Sequence, residues 1–185
     1  MSRIPTPATL DVSPAASQPL LQTVQASLGS VPNLFRLLGN SPATLEGYLQ
    51  LNGALDEGEL EPATRERIAL AVAEVNQCHY CLAAHTYLGK HVAKLTDTEI
   101  LANRHGSSGD HQAEVAVKFA VLLVHMRGDV SRADVETVLA AGYSHAQLLE
   151  IIAHVALNTL TNYVNRALAT EIDFPPIKTP PPLLY

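Results

Sequence analysis

The sequence predicts an all-α domain of about eight helices, and three observations carry that prediction. After residue 16 the apolar residues recur at helical spacing almost everywhere, with no alternating strand-like run and no Asn-Gly hairpin signal. Aromatic residues are only 5% of the chain and Trp is absent, so the core must rest on Ala, Leu and Val, which suits closely packed helices. The cap and stop residues fall between these runs rather than inside them. At 185 residues the chain is long enough for one full core and one domain.

Each element has its own signal. Residues 1–16 read as an extended, Pro-rich arm without a packing pattern. Leu20, Leu21, Val24 and Leu28 mark a first short helix that Gly29 stops. "VPNLFRLLGN" gives a second, with Pro32 tolerated in its first turn, and Ser41-Pro42 opens a third that runs to Leu55. "DEGELEP" is a polar break before a buried helix over 62–75 with a charged entrance at Arg65, Glu66 and Arg67. Asn76 and Gln77 interrupt its apolar run, which predicts a boundary there and a new helix from about Cys78 to Lys90. Thr96 or Asp97 caps a short helix that Gly106 ends, and "SSGD" is a loop. Two further helices cover 111–127 and 132–141, and Ser144 caps a long final one over roughly 145–169. The helical domain is thus expected over 17–170, followed by an extended Pro-rich tail over 171–185, because "DFPPIKTPPPLLY" cannot be helical.

Composition narrows the function. A net charge of −6 and a pI near 5.7 leave no basic stripe for a nucleic-acid backbone, so no nucleic-acid partner is expected. The first twenty residues hold one Arg and four prolines, without the apolar run of a signal peptide, and no stretch is long and apolar enough to span a bilayer. A cytoplasmic protein with no membrane partner is the expectation. In a reducing compartment a two-cysteine chain is not held by a disulfide, so the pair points to catalysis or metal binding.

The two cysteines are Cys78 and Cys81, and His85 follows. At about 100° per residue these three lie within roughly 60° of one another on a helix surface. Cys78 also falls in the first turn, where unpaired N–H groups and the helix dipole favour a thiolate. A thiolate attacks peroxides and disulfides, a second thiol one turn away resolves the sulfenic acid, and a neutral imidazole on the same face passes protons. Two other readings stay open at this point. The pair can be small core hydrophobes, or can join His85 and Glu66 around a catalytic zinc ion.

Glu66, eleven residues, Cys78, two residues, Cys81, three residues and His85 together resemble the E-x11-C-x2-C-x3-H signature of the AhpD branch of the carboxymuconolactone decarboxylase-like superfamily. "VPNLFRLLGNSP" and "HVALNTLTNYVNRALATEIDFP" are similar to its peroxidase-related group, so the resemblance runs from about residue 30 to 175. It implies a single-domain all-α fold, homo-oligomers (trimers or hexamers) and a thiol-dependent alkyl hydroperoxidase activity with no cofactor and no metal. It also implies that Cys81 is the peroxidatic cysteine, Cys78 its resolving partner, and Glu66 and His85 the proton relay. Some members carry a histidine just before the second cysteine, where this chain has Tyr80, with His79 one place earlier and pointing elsewhere. The relay is then either shorter or completed by the tyrosine hydroxyl.

Glu66, read alone between two arginines, would be a solvated helix end, and the x11 spacing argues instead for a carboxylate folded back onto the thiols. His154, Asn158, Thr161, Asn162 and Asn165 form a polar stripe on the last helix. Hydrogen bonding between helices or a subunit contact is the first reading of that stripe, and lining the thiol pocket the second. His91, His105, His111, His125 and His145 read as surface or capping residues. The expected activity is reduction of a hydroperoxide by the cysteine pair, regenerated by an external dithiol such as a lipoyl or thioredoxin-like protein. The rivals are a lactone decarboxylase of the same superfamily and a non-enzymatic redox-sensing oligomer.

Overall fold

A computed structural model describes residues 2–177; the last eight residues of the expected tail, 178–185, lie outside that range. The described residues form nine α-helices and no strand, with two short 3-10 turns, Leu10–Val12 and Ala15–Ser17, before the first helix. The helices are α1 (Gln18–Leu28), α2 (Asn33–Leu38), α3 (Pro42–Asp56), α4 (Pro62–Val75) and α5 (His79–His91), then α6 (Asp97–Arg104), α7 (His111–Met126), α8 (Arg132–Ala140) and α9 (His145–Leu168). Each of the nine corresponds to a helix expected from the sequence.

Helix α4 is the axis of the molecule. Ile68, Ala69, Leu70, Ala71, Val72 and Ala73 are all nearly or fully buried, so this helix has no solvent face along its second half. Small side chains let α5, α6, α7 and α9 close on it from different sides. On one side Ile68 and Val72 join Phe119 and Leu123 of α7, Val138 of α8, and Leu148, Ile151 and Val155 of α9. On the other, Ala73 joins Leu21, Val24, Leu34, Leu38 and Leu45 of α1–α3 and the start of α5.

Short polar side chains start five of the helices, as expected at Ser41, Thr96 and Ser144. Ser41, Thr96, Asp110, Ser131 and Ser144 each accept the backbone N–H three residues on, and Ser131 and Ser144 complete capping boxes with Asp134 and Gln147. The polar break before α4 is held by α9: the Glu150 carboxylate accepts the N–H groups of Glu59 (2.9 Å) and Leu60 (2.7 Å). Gly58 sits so close to that carboxylate that a Cβ would lie 2.7 Å from its oxygen.

Both chain ends differ from the free arms that their composition suggests. Arg3 donates its backbone N–H to Leu168 O (2.7 Å) and its guanidinium to Ala167 O (2.8 Å), which fastens the arm to the end of α9. Residues 171–177 are non-helical but packed. Asp173 accepts the Asn33 N–H (2.7 Å), and the Phe174 ring meets Tyr80 edge-on at 5.7 Å. No helix among the described residues is long and apolar enough to cross a membrane.

Candidate functional site

The turn between α4 and α5 builds the site. Gln77 takes a left-handed conformation (φ 53°), its N–H bonds Glu74 O, and the Cys78 N–H reaches back to Ala73 O. That pair of bonds ends a helix with a reversal, usually on glycine. The reversal lays α5 antiparallel against α4 and makes Cys78 the N-cap of α5, so the helix starts at His79, one residue later than the expected start at Cys78. Asn76, buried in the same turn, donates to Asn162 of α9 at 3.0 Å and so fixes the turn to the long helix.

Cys78 and Cys81 are joined as a disulfide with their Cα atoms 5.3 Å apart. Both are buried, but they are not alike. The Cys78 sulfur accepts the Cys81 N–H at 3.3 Å as a helix cap, within the apolar cluster. The Cys81 sulfur accepts from Asn165 Nδ2 of α9, also at 3.3 Å, and Cys81 lines a cavity of about 860 Å³.

That cavity collects the expected residues. One turn along α5 from Cys81, His85 Nδ1 meets Glu66 Oε2 of α4 at 3.0 Å, and both line the cavity with about a fifth of each side chain exposed. Glu66 therefore does not point outward as a solvated helix end. His79 is exposed and faces away. Tyr80 lines the cavity, but its hydroxyl accepts the Leu34 N–H at 3.2 Å. Burial pushes the Tyr80 pKa well above the usual phenol range against a smaller pull from that bond, and the Asp173 charge adds to the rise. The phenol is thus a fixed neutral strut between α2 and the tail.

The polar stripe of α9 divides. Asn162 is fully buried and serves the helix contact with Asn76, as its first reading holds. His154, Asn158, Thr161 and Asn165 face the cavity, where the second reading places them. Asn158 Nδ2 bonds His154 O at 2.8 Å, and His154 is 5% exposed with a pKa lowered by burial first and then by Arg65.

Two features had been read differently from sequence. Asn165 is grouped in the stripe but not joined to the cysteines, although its position eleven residues after His154 puts it on the same face. Arg65 reads only as part of the charged entrance to α4, yet it lines the cavity while holding Leu55 O (3.2 Å) and Asp56 (2.8 Å). Among the described residues no group of three or more His, Cys, Asp and Glu side chains is arranged to hold a metal ion.

Residues 42–116 match the carboxymuconolactone decarboxylase family. The fold is similar to that of an uncharacterised peroxidase-related protein from Ralstonia eutropha JMP134 with an alkylhydroperoxidase AhpD core. The TM-score is 0.83 at 24% identity, over 93% of this chain and 92% of that one. A peroxidase-related protein from Silicibacter sp. TM1040 gives 0.80 at 23% identity over 92% and 91%. The debrominase Bmp8 gives 0.72 at 18% identity over 86% and 87%. No curated protein matches the sequence.

Proposed function

We propose that the chain is an AhpD-like member of the carboxymuconolactone decarboxylase superfamily, a reading supported by the match over residues 42–116 and by the shared fold, and that it is a thiol-dependent peroxidase that reduces organic hydroperoxides, or hydrogen peroxide. The observation that carries this reading is the Cys78–Cys81 pair with Cys81 on the wall of a cavity that also holds the Glu66–His85 pair. A dithiol that opens to a cavity beside a carboxylate and an imidazole has the parts of a two-electron peroxide reductase.

The cycle balances with these groups. His85 takes the Cys81 proton and passes it toward Glu66; the Cys81 thiolate attacks the outer peroxide oxygen and the O–O bond breaks. Cys81 becomes a sulfenic acid, and the alkoxide leaves as the alcohol with the proton returned through His85. The Cys78 thiol then attacks the Cys81 sulfur, water departs, and the disulfide forms. An external dithiol reduces it and becomes a disulfide in turn. Cys81 is the attacked residue because it meets the cavity and Asn165, whereas Cys78 caps the helix beneath it. The reading takes the shorter of the two expected relays, Glu66 and His85 alone, and what supports it is the burial that keeps the Tyr80 phenol from ionising.

The working protein is a cytoplasmic homo-oligomer. Leu149, Ile152, Leu160 and Tyr163 are exposed along one face of α9 at helical spacing, a row of apolar side chains suited to burial against another copy. The test is steady-state consumption of tert-butyl hydroperoxide with dihydrolipoamide or a thioredoxin-like protein as donor. Turnover through many cycles supports a peroxidase. Reversible oxidation without turnover would leave a redox sensor, and lactone decarboxylation without thiol loss would move the protein to the other branch.

A second reading is favoured by the aromatic side of the cavity, where Phe35, Tyr48, Tyr80 and Phe174 stand near Cys81. The same two thiols can replace an aryl C–Br bond with C–H, releasing bromide as they close to the disulfide. Bromide release from a brominated pyrrole, measured against peroxide consumption under the same donor, separates the two substrates.

A further inference from the structure

At the end of the cavity away from the disulfide, two buried polar atoms have no partner among the described residues: His154 Nε2 and Arg65 Nε. Buried polar atoms are nearly always paired, so two orphans on side chains that line one cavity point to a missing partner. Both side chains are otherwise well held. Arg65 is anchored through its Nη1 to Leu55 O and Asp56, and His154 is packed on the α9 face that also carries Asn165. Helix α9 rises about 1.5 Å per residue, so the eleven residues from His154 to Asn165 span about 16 Å. The thiols lie at the Asn165 end.

We infer that His154 and Arg65 form a second subsite, which takes a hydrogen-bond acceptor on the far end of an elongated, uncharged organic substrate whose reactive group sits at Cys81. This rests on the peroxidase reading for the reactive group and extends it to substrate class. The acceptor is a neutral oxygen rather than a carboxylate. The cavity wall carries Asp56, Glu66 and Asp173 against the single cation Arg65, which is already paired with Asp56. Burial holds His154 neutral near pH 7, so it offers one N–H and no charge. An ester carbonyl or a hydroxyl satisfies both donors without adding a negative charge near Asp56 and Glu66, whose charges reach His154. The apolar stretch between the two ends, with Leu49, Ala69 and Leu157 in its wall, accepts the hydrocarbon chain.

The experiment uses the oxidised full-length protein, which cannot turn over, and measures calorimetric binding of hydroxy-octadecadienoic acid and its methyl ester, the alcohols left by linoleate hydroperoxides. The methyl ester is expected to bind about tenfold tighter than the free acid, the worth of one satisfied hydrogen bond plus the avoided repulsion. His154→Leu should lose about tenfold in ester affinity, and His154→Gln, which restores a donor, should recover most of it. Equal binding of acid and ester, or a His154→Leu protein that folds and binds the ester like the wild type, overturns the subsite. If His154→Leu fails to fold, the Gln variant and the acid–ester ratio of the wild type still decide it. Turnover of tert-butyl hydroperoxide is measured alongside. Its absence with an intact ester preference removes the peroxidase reading and leaves the subsite standing.

Discussion

Helix α4 separates two buried polar clusters that are built in opposite ways. One turn of the helix sends Arg67 to one side and Glu66 to the other. On the Arg67 side, the Glu99 carboxylate of α6 accepts from Arg67 Nε (2.8 Å), Asn103 Nδ2 (2.9 Å), Ser108 Oγ (2.5 Å) and the Gly109 N–H (2.9 Å). Burial raises its pKa, but these four donors outweigh that and hold it at about 2. On the Glu66 side, the polar side chains surround a cavity. Arg65 Nε, His154 Nε2 and Asn165 Oδ1 are buried without partners among the described residues, and the Glu66–His85 pair stands a fifth exposed to the cavity. A carboxylate saturated with donors, as Glu99 is, ties a fold together; polar groups left unsaturated around a cavity are kept for something that binds or reacts.

The sharpest way to break this contrast is to remove the reactive atom. Cys81→Ser should abolish peroxide consumption altogether. Cys78→Ser should still react once and leave a sulfenic acid that dimedone traps on Cys81. Mass spectrometry of the dimedone adduct decides it: an adduct on Cys78 in the Cys81→Ser protein, formed at the normal rate, would reverse the two roles. Next in size is Glu66→Gln, which keeps the shape of the side chain but cannot accept a proton from His85. Turnover should fall roughly 100- to 10,000-fold with little change in the thermal midpoint. A Gln variant with full activity would make Glu66 as structural as Glu99.

Much of this was legible in the sequence, and the exceptions have physical causes. The helices were readable because apolar spacing runs through each of them and Ser or Thr caps mark four of the starts, at Ser41, Thr96, Ser131 and Ser144. The α4–α5 corner was readable from Asn76-Gln77 alone, although Gln77 occupies a left-handed position without the glycine that usually announces one. Helix α2, only six residues from Asn33 to Leu38, was still readable because Pro32 and Gly39 bracket it. The Glu66, Cys78, Cys81 and His85 spacing is local to one helical hairpin, so a pattern along the chain could carry it. Asn165, Arg65 and Phe174 escaped because their roles depend on how α9, α4 and the tail cross in space. Phe174 has no helical neighbours to give it a period, and its signal is only an aromatic residue before two prolines.

The saturated cluster can be tested on its own terms. Glu99→Gln removes the charge that four donors converge on and should cost about 2 kcal/mol of stability at pH 7. The sign with pH follows from a folded pKa of about 2 against an ordinary 4.5. The ionised carboxylate stabilises the folded state, so its contribution is full above about pH 4.5 and disappears as pH falls through 2. Urea midpoints of the wild type and Glu99→Gln should therefore converge on acidification, while peroxide turnover at pH 7 stays the same in both. A gap that does not narrow would mean that the charge is not what the cluster stabilises.

The smallest effect probes the one residue that belongs in part to each kind of cluster. Asn165 is buried like Asn103, yet it donates to a sulfur rather than to a carboxylate. If Asn165 is a structural amide, Asn165→Leu should lower the thermal midpoint and leave thiol chemistry alone. If it stabilises the Cys81 thiolate in the reduced enzyme, the Leu variant should raise the Cys81 pKa by about one unit, since a hydrogen bond to a charged group contributes about that much. The pH dependence of Cys81 alkylation by iodoacetamide, measured in a Cys78→Ser background, separates these outcomes. The helix dipole of α5 acts at the Cys78 position and remains in both proteins, so a shift in the alkylation midpoint belongs to the amide. An unchanged midpoint with a lowered melting temperature would move Asn165 to the structural side of α4, beside Asn162.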